Sequence, residues 1–232
     1  PGAIPPAPNG CSGVEMLTQA FKDGKEPDFS RLCTTTWVLK GPRTKYCTMT
    51  KACVKEFDHF CGWLNVAIGR GNHRPFMVLA CVEATTQFCH LYLCWRAANE
   101  LVKVPSPSNW VFGVATQYPL LVFIAFIHTF SAPGIVLLAL NHIRMIALNL
   151  TTNEMINMVR YSHFWEEVET PQGQKRRKFV NPFNKGSILA NCLDFWWFRR
   201  RGDFGQAAAA REQEMPAGAG IRFSDPPGFT SE

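Results

Sequence analysis

Residues 56–65 read EFDHFCGWLN and place a carboxylate, an imidazole and a thiol within four positions, at Asp58, His59 and Cys61. A thiol becomes a good nucleophile when its thiolate is favoured, and a nearby His does this as base or as imidazolium partner. An Asp beside that His can fix its tautomer and orientation. Positions 59 and 61 are two apart, so in an extended segment both side chains point to the same side. Asp58 then needs a turn to reach the ring. Trp63 and the glycine-rich continuation are expected to shape an apolar slot beside the thiol. Spacing alone leaves three readings open: a nucleophile with its base, a metal cluster, or polar residues on a surface loop.

The elements that must position these residues include two long apolar runs. From Trp110 to Leu140 there is no Asp, Glu, Lys or Arg among 31 residues, and from Met77 to Trp95 only Glu83 carries a formal charge. About 20 apolar residues suffice to cross a bilayer as a helix, so the near-neutral mean hydropathy averages a membrane core with two polar arms. Ten Lys/Arg lie in residues 1–76 and twelve after Leu140, against Arg96 and Lys103 between the runs. Cytoplasmic loops carry the excess of Lys and Arg, so both arms are expected in the cytosol and the connection in a lumen or outside. That distribution argues against nucleic acid as the partner of the net +6 charge. Cytosolic thiols stay reduced, so no disulfide framework is expected, and Cys81, Cys89 and Cys94 read as packing residues of the first span.

The fold expected is a mainly α membrane protein. Two transmembrane helices carry a loop-rich cytosolic cysteine-rich module before them and a cytosolic C-terminal arm after them. In order, the segments are a tether (1–32), the module (33–76), a span (77–96), a lumenal loop (97–109), a span interrupted by Pro119 and Pro133 (110–140), the arm (141–201) and a disordered tail (202–232). In the arm, Thr152 reads as an N-cap, with Glu154 one residue early for a capping box. TPQGQKRRK (170–178) reads as a basic loop, and Phe195–Phe198 with Arg199–Arg201 as an anchor at the lipid interface. The sequence shows no internal repeat. His128 is expected to hydrogen-bond between helices.

Around the opening peptide the string runs Cys33, Lys40-Gly-Pro-Arg43-Thr-Lys45-Tyr46-Cys47, Cys53, Asp58-His59-Phe60-Cys61-Gly-Trp63, Gly69, Asn72-His73-Arg74 and Phe76. It resembles the cysteine-rich domain of the DHHC protein S-acyltransferases (palmitoyltransferases). Thr151, Thr152 and Glu154 match that family's Thr-Thr-x-Glu motif, and Asn191 its C-terminal asparagine-and-aromatic motif. The resemblance covers roughly residues 33–201 and is nearest in flavour to the ankyrin-repeat fungal and huntingtin-interacting branch. It implies a long-chain acyl-CoA such as palmitoyl-CoA as donor, an acyl-Cys61 intermediate, His59 as base and Asp58 as its orienter. It also implies Trp63 near the acyl chain, and Arg43, Lys45 and Arg74 toward CoA phosphates. Membrane lipids and substrate proteins with cytosolic cysteines are the implied partners, in Golgi or endosomal membranes.

The family's module holds two structural zincs. Carried over by position, the first site falls on Cys33, Thr36, Tyr46 and Cys53, and the second on Cys47, Thr50, Phe60 and Ala67. Structural zinc takes four nitrogen or sulfur ligands, so no ordinary zinc site is expected and no residue is assigned to metal. Gly62 stands where the family has Pro. With a Pro start, two spans and no ankyrin repeats, the chain reads as the C-terminal part of a larger enzyme. The alternative is a catalytically inactive DHHC-like scaffold, separated from the enzyme by a Cys61→Ser change. A channel or transporter subunit would need a polar path, for which the spans offer only Glu83, His90 and His128.

Overall fold

A computed structural model describes residues 2–4, 11–24, 29, 32–41, 43–104, 106–169, 173–198 and 201. The expected tail and Arg199–Arg200 lie outside the described residues. The chain divides into two compact units, one of residues 1–74 with 145–232 and the other of residues 75–144.

The first unit is built on antiparallel pairs of very short strands. They are β1 (Ala3–Ile4), β2 (Leu32–Cys33), β3 (Val38–Leu39), β4 (Lys45–Cys47), β5 (Ala52–Val54), β6 (His59–Cys61) and β7 (Val66–Ile68). β2 pairs with β3 and β6 with β7, while β5 lies between β1 and β4. Three hairpins repeat one plan. Cys33, Cys47 and Cys61 each end a first strand, four turn residues follow, and the fourth is left-handed: Trp37 at φ 54°, Lys51 at 50° and Asn65 at 49°. The module therefore contains an internal repeat that the sequence reading missed, because only the cysteine and the turn length recur. The segment read as a tether carries β1 and the helix α1 (Cys11–Lys22). Gly13 lets α1 approach the β2–β3 hairpin, since a Cβ there would stand 3.0 Å from the Leu32 side chain and 3.2 Å from the Trp37 ring.

In the arm, α5 (Thr152–Asn157) has Thr151, not Thr152, as its N-cap. Thr151 Oγ1 accepts from the Glu154 N–H and Glu154 accepts from the Thr151 N–H, so the capping box is complete. Glu154 also receives Nε and Nη2 of the buried Arg43 at 2.6 Å each, which ties the arm to the loop before β4. The region read as a loop is a hairpin, β8 (Trp165–Glu169) with β9 (Lys175–Phe179). Cross-strand pairs Glu166–Lys178, Glu167–Arg177 and Glu169–Lys175 set opposite charges face to face. A core of Met145, Leu150, Phe164 and Phe183 lies beneath. The last element, α6 (Ile188–Leu193), runs on as a wider turn over Asp194–Phe198.

The second unit contains most of α2 (His73–Leu101), α3 (Pro107–Gln117) and most of α4 (Pro119–Ala147). α2 and α4 are long and apolar enough to cross a membrane. The run 110–140 is not one helix, because Tyr118, before Pro119, leaves helical geometry (φ −131°, ψ 57°). Pro133 stays inside α4 without ending it. His128 does bond between helices: its Nδ1 lies 2.8 Å from Gln87 Oε1, which also accepts from Ser131 Oγ at 2.7 Å, and its Nε2 lies 3.1 Å from His90 Nδ1.

Two predictions follow from the arm. Glu154→Ala strands the buried Arg43 charge and should cost about 3–5 kcal/mol of unfolding free energy, measured by denaturant titration. Burial pushes His163 down from the ordinary imidazole value to about 4. Between about pH 6.5 and 4 the unfolded chain therefore binds a proton that the folded chain refuses. Stability from this residue is whole above that window and lost as pH falls through it. Melting temperatures of His163→Phe should show a flatter slope across the same range.

Candidate active site

His59 and Cys61 lie on β6 and Asp58 in the bend before it. The backbone N–H of Asp58 donates to Ile68 O at 2.9 Å, and its carbonyl accepts from the Asn153 N–H at 2.9 Å. These bonds fix the residue between β7 and the start of α5. Its carboxylate is 1% exposed. Oδ2 lies 2.8 Å from His59 Nδ1, and Oδ1 accepts from the Thr152 N–H at 2.9 Å, with His73 Nε2 at 3.9 Å. Burial alone would raise this carboxyl. The His59 bond, the neighbouring His73 ring and Arg201 guanidinium and the Thr152 N–H overcome it, and hold Asp58 far below the usual carboxylate range.

A carboxylate accepts, so His59 Nδ1 carries the hydrogen and Nε2 presents a lone pair. His59 and Cys61 share one face of β6. Phe60 points the other way, into a cluster with Cys47, Val54, Ala67 and Phe57. The Cys61 side is buried and His59 is partly open. This arrangement can take a proton from a thiol and stabilise the imidazolium that results.

Other residues fall differently from the sequence reading. Trp63 is 98% exposed in the β6–β7 turn and forms no slot beside the thiol. A Cβ on Gly62 would meet nothing within 4 Å, so the position where the family has Pro is open. Arg43 does not reach toward a phosphate. All five of its N–H groups go to protein oxygens, on Glu154, Asn149 and the Arg201 carbonyl, and its plane lies 4.0 Å from the Phe183 ring centroid. Lys45 Nζ donates to Asn153 Oδ1 at 2.7 Å from an exposed position. Arg74 Nε donates to Phe195 O at 2.6 Å. Asn191 is buried, donating to Ala147 O and accepting from the Lys185 N–H, both at 2.8 Å, so it ties the last turn of α4 to the arm.

The positions matched to zinc do not fit that metal. At the second, Cys47, Phe60 and Ala67 belong to the apolar cluster. At the first, Thr36 Oγ1 lies 3.3 Å from Cys53 Sγ, and Tyr46 stands across the ladder from Cys53. Neither supplies four nitrogen or sulfur ligands. Sequence reasoning missed Arg201 altogether as a site residue. Its place in an Arg run suggested lipid contact, whereas the structure buries it beside His73 and Asn149.

A family model described as DHHC palmitoyltransferase matches residues 26–159, more than half the chain. "Palmitoyltransferase ZDHHC17" of Danio rerio is 29% identical over 180 residues, covering 74% of this chain and 27% of that protein. The Homo sapiens protein of the same name is 29% identical over 188 residues, covering 76% and 27%. "Palmitoyltransferase ZDHHC18" of Mus musculus is 29% identical over 162 residues, covering 70% and 39%. The chain thus spans about a quarter of the length of the ZDHHC17 proteins it matches. With Asp58, His59 and Cys61 in place and the Thr-Thr-x-Glu box bonded to Asp58, the chain belongs to the DHHC palmitoyltransferase family.

Proposed function

We propose that this chain carries the acyl-transfer centre of an integral-membrane protein S-acyltransferase, with Cys61 as the acyl acceptor. The observation that carries the reading is His59, bound through Nδ1 to a buried carboxylate and sharing one strand face with Cys61. His59 Nε2 takes the thiol proton, and the Cys61 thiolate attacks the thioester carbonyl of a long-chain acyl-CoA, palmitoyl-CoA being the expected donor. The bond from acyl carbon to CoA sulfur breaks, and the CoA thiolate leaves with the proton from His59. A cysteine of a substrate protein then gives its proton to His59 and attacks acyl-Cys61. The acyl group passes to that sulfur, and the Cys61 thiolate recovers the proton. One thioester replaces another in each step, so rate rests on positioning and thiolate formation.

Asp58 orients His59, and Thr151, Thr152 and Glu154 hold Asp58 from the arm. Asn191 serves the same frame. Trp63 projects from the hairpin turn to meet the acyl chain, and Lys45 is the basic residue placed to meet a CoA phosphate. The basic arms support a cytosolic active site, and the resemblance to the ankyrin-repeat branch supports Golgi or endosomal membranes, with bilayer lipids and cytosolic cysteine-bearing proteins as partners and no nucleic acid.

Labelling in membranes with an alkynyl palmitoyl-CoA tests the centre. The label should be hydroxylamine-labile, absent in Cys61→Ser, and formed about 10²-fold or more slowly in Asp58→Asn. Label that persists in Cys61→Ser sinks the assignment and leaves the inactive-scaffold reading. The hairpins are also proposed to fold without zinc. Prolonged dialysis against a zinc chelator should leave both the labelling rate and the melting temperature unchanged, and a drop in either would show a structural metal.

A further inference from the structure

We propose that Arg201 and His73 form a second, positioning branch on Asp58, which holds the carboxylate in the orientation that His59 requires. This rests on the acyl-transfer reading above. Arg201 is 3% exposed and His73 is also 3% exposed, so neither is solvated. A guanidinium has only donors. Arg201 Nη1 lies 2.9 Å from His73 Nδ1, which must therefore be the unprotonated nitrogen of a neutral ring. The hydrogen of His73 is then on Nε2, the atom 3.9 Å from Asp58 Oδ1. Arg201 thus selects the tautomer of His73 that turns its positive edge to the carboxylate.

The remaining donors of Arg201 are fixed as well. Nε donates to Asn149 Oδ1 at 3.2 Å and Nη2 to the Leu150 carbonyl, just before the capping box. Its Cζ lies 5.3 Å from the Phe195 ring centroid, and His73 meets the same ring edge-on at 5.1 Å. Arg43 completes the link by donating to the Arg201 carbonyl at 2.5 Å. His59 claims Oδ2, whereas Oδ1 is shared by the Thr152 N–H and the His73 edge. Rotation of the carboxylate away from His59 would break this second set of contacts. The branch touches no reacting atom, so its effect passes entirely through Asp58.

The experiment is single-turnover formation of the hydroxylamine-labile palmitoyl adduct by the full chain in membranes, over a range of palmitoyl-CoA concentrations, with thermal melts of the same samples. His73→Phe and Arg201→Met should lower the maximal rate about 10- to 100-fold, with the half-saturating palmitoyl-CoA concentration within about twofold of the parent chain. His73→Gln is the deciding variant. Its carbonyl can accept from Arg201 and its amide N–H can face Asp58, so the rate should recover to within about threefold, an estimate that assumes most of the hydrogen bonding is retained. A merely structural role would make Gln as slow as Phe, with rates that track the melting temperatures, and that result overturns the assignment. Arg201→Met at the parental rate also overturns it. An unmodified chain that forms no labile adduct overturns the acyl-transfer reading and takes this inference with it.

Discussion

Asp58 must stay charged while buried, and the chain meets that demand with donors from separate segments. β6 supplies the His59 ring at 2.8 Å and the start of α5 the Thr152 N–H at 2.9 Å, while the head of α2 sets His73 Nε2 3.9 Å away. A buried ionised carboxylate is tolerated only when its lone pairs are occupied in good geometry. The position of His59 is therefore a property of the whole unit. Hairpin, helix start and arm have to be assembled before the carboxylate is satisfied, and only then is the His59 tautomer set.

The three hairpins show how such a frame persists with the metal-ligand pattern broken. The plan of cysteine, four-residue turn and left-handed fourth residue recurs at Cys33, Cys47 and Cys61. At the second hairpin the cysteine is one wall of a cluster with Val54 and Ala67, against which Phe57 and Phe60 pack. Burial of an aromatic ring stabilises by about 1.5–3 kcal/mol and needs no deprotonated ligand. In the third hairpin the alternation of a strand separates the duties of adjacent residues. Phe60 packs into the module, and its neighbours His59 and Cys61 lie on the opposite face of the strand. Phe60 beside His59 thus leaves the face that His59 shares with Cys61 unaltered.

The motif residues were legible because their chemistry is local. Asp58, His59 and Cys61 lie in one peptide, and period-two alternation was enough to place the last two on one face. The capping box was legible in kind but misplaced by one residue: Glu154 lies three residues after Thr151, so the box closes on the first of the two threonines. The β8–β9 hairpin was hidden because both strands are nearly all charged, and its signal lies in the acid-to-base register, not in hydrophobic alternation. Arg43 and Arg201 were read as anion- and lipid-facing because a basic residue in a polar segment is usually solvated. Nothing local marks the buried acids, distant in sequence, that lie near them once folded.

Those two arginines, with Asp58 and Glu154, form a buried set of balanced charge. Arg201 is pushed down to about 10, first by burial and then by the Arg43 charge, and is raised in turn by Asp58 and Glu154, so it stays protonated at neutral pH. Such a set is a poor way to gain net stability, because desolvating four ions offsets most of their attraction. Its effect is discrimination among arrangements. Glu154 caps α5 and binds Arg43, while Arg43 holds the Arg201 carbonyl and Arg201 reaches His73. A misdocked arm would leave buried charges without their hydrogen-bond partners, which is far costlier than a lost apolar contact. The fold accepts that penalty as a constraint, and the constraint ends beside the carboxylate that orients His59, at its other oxygen.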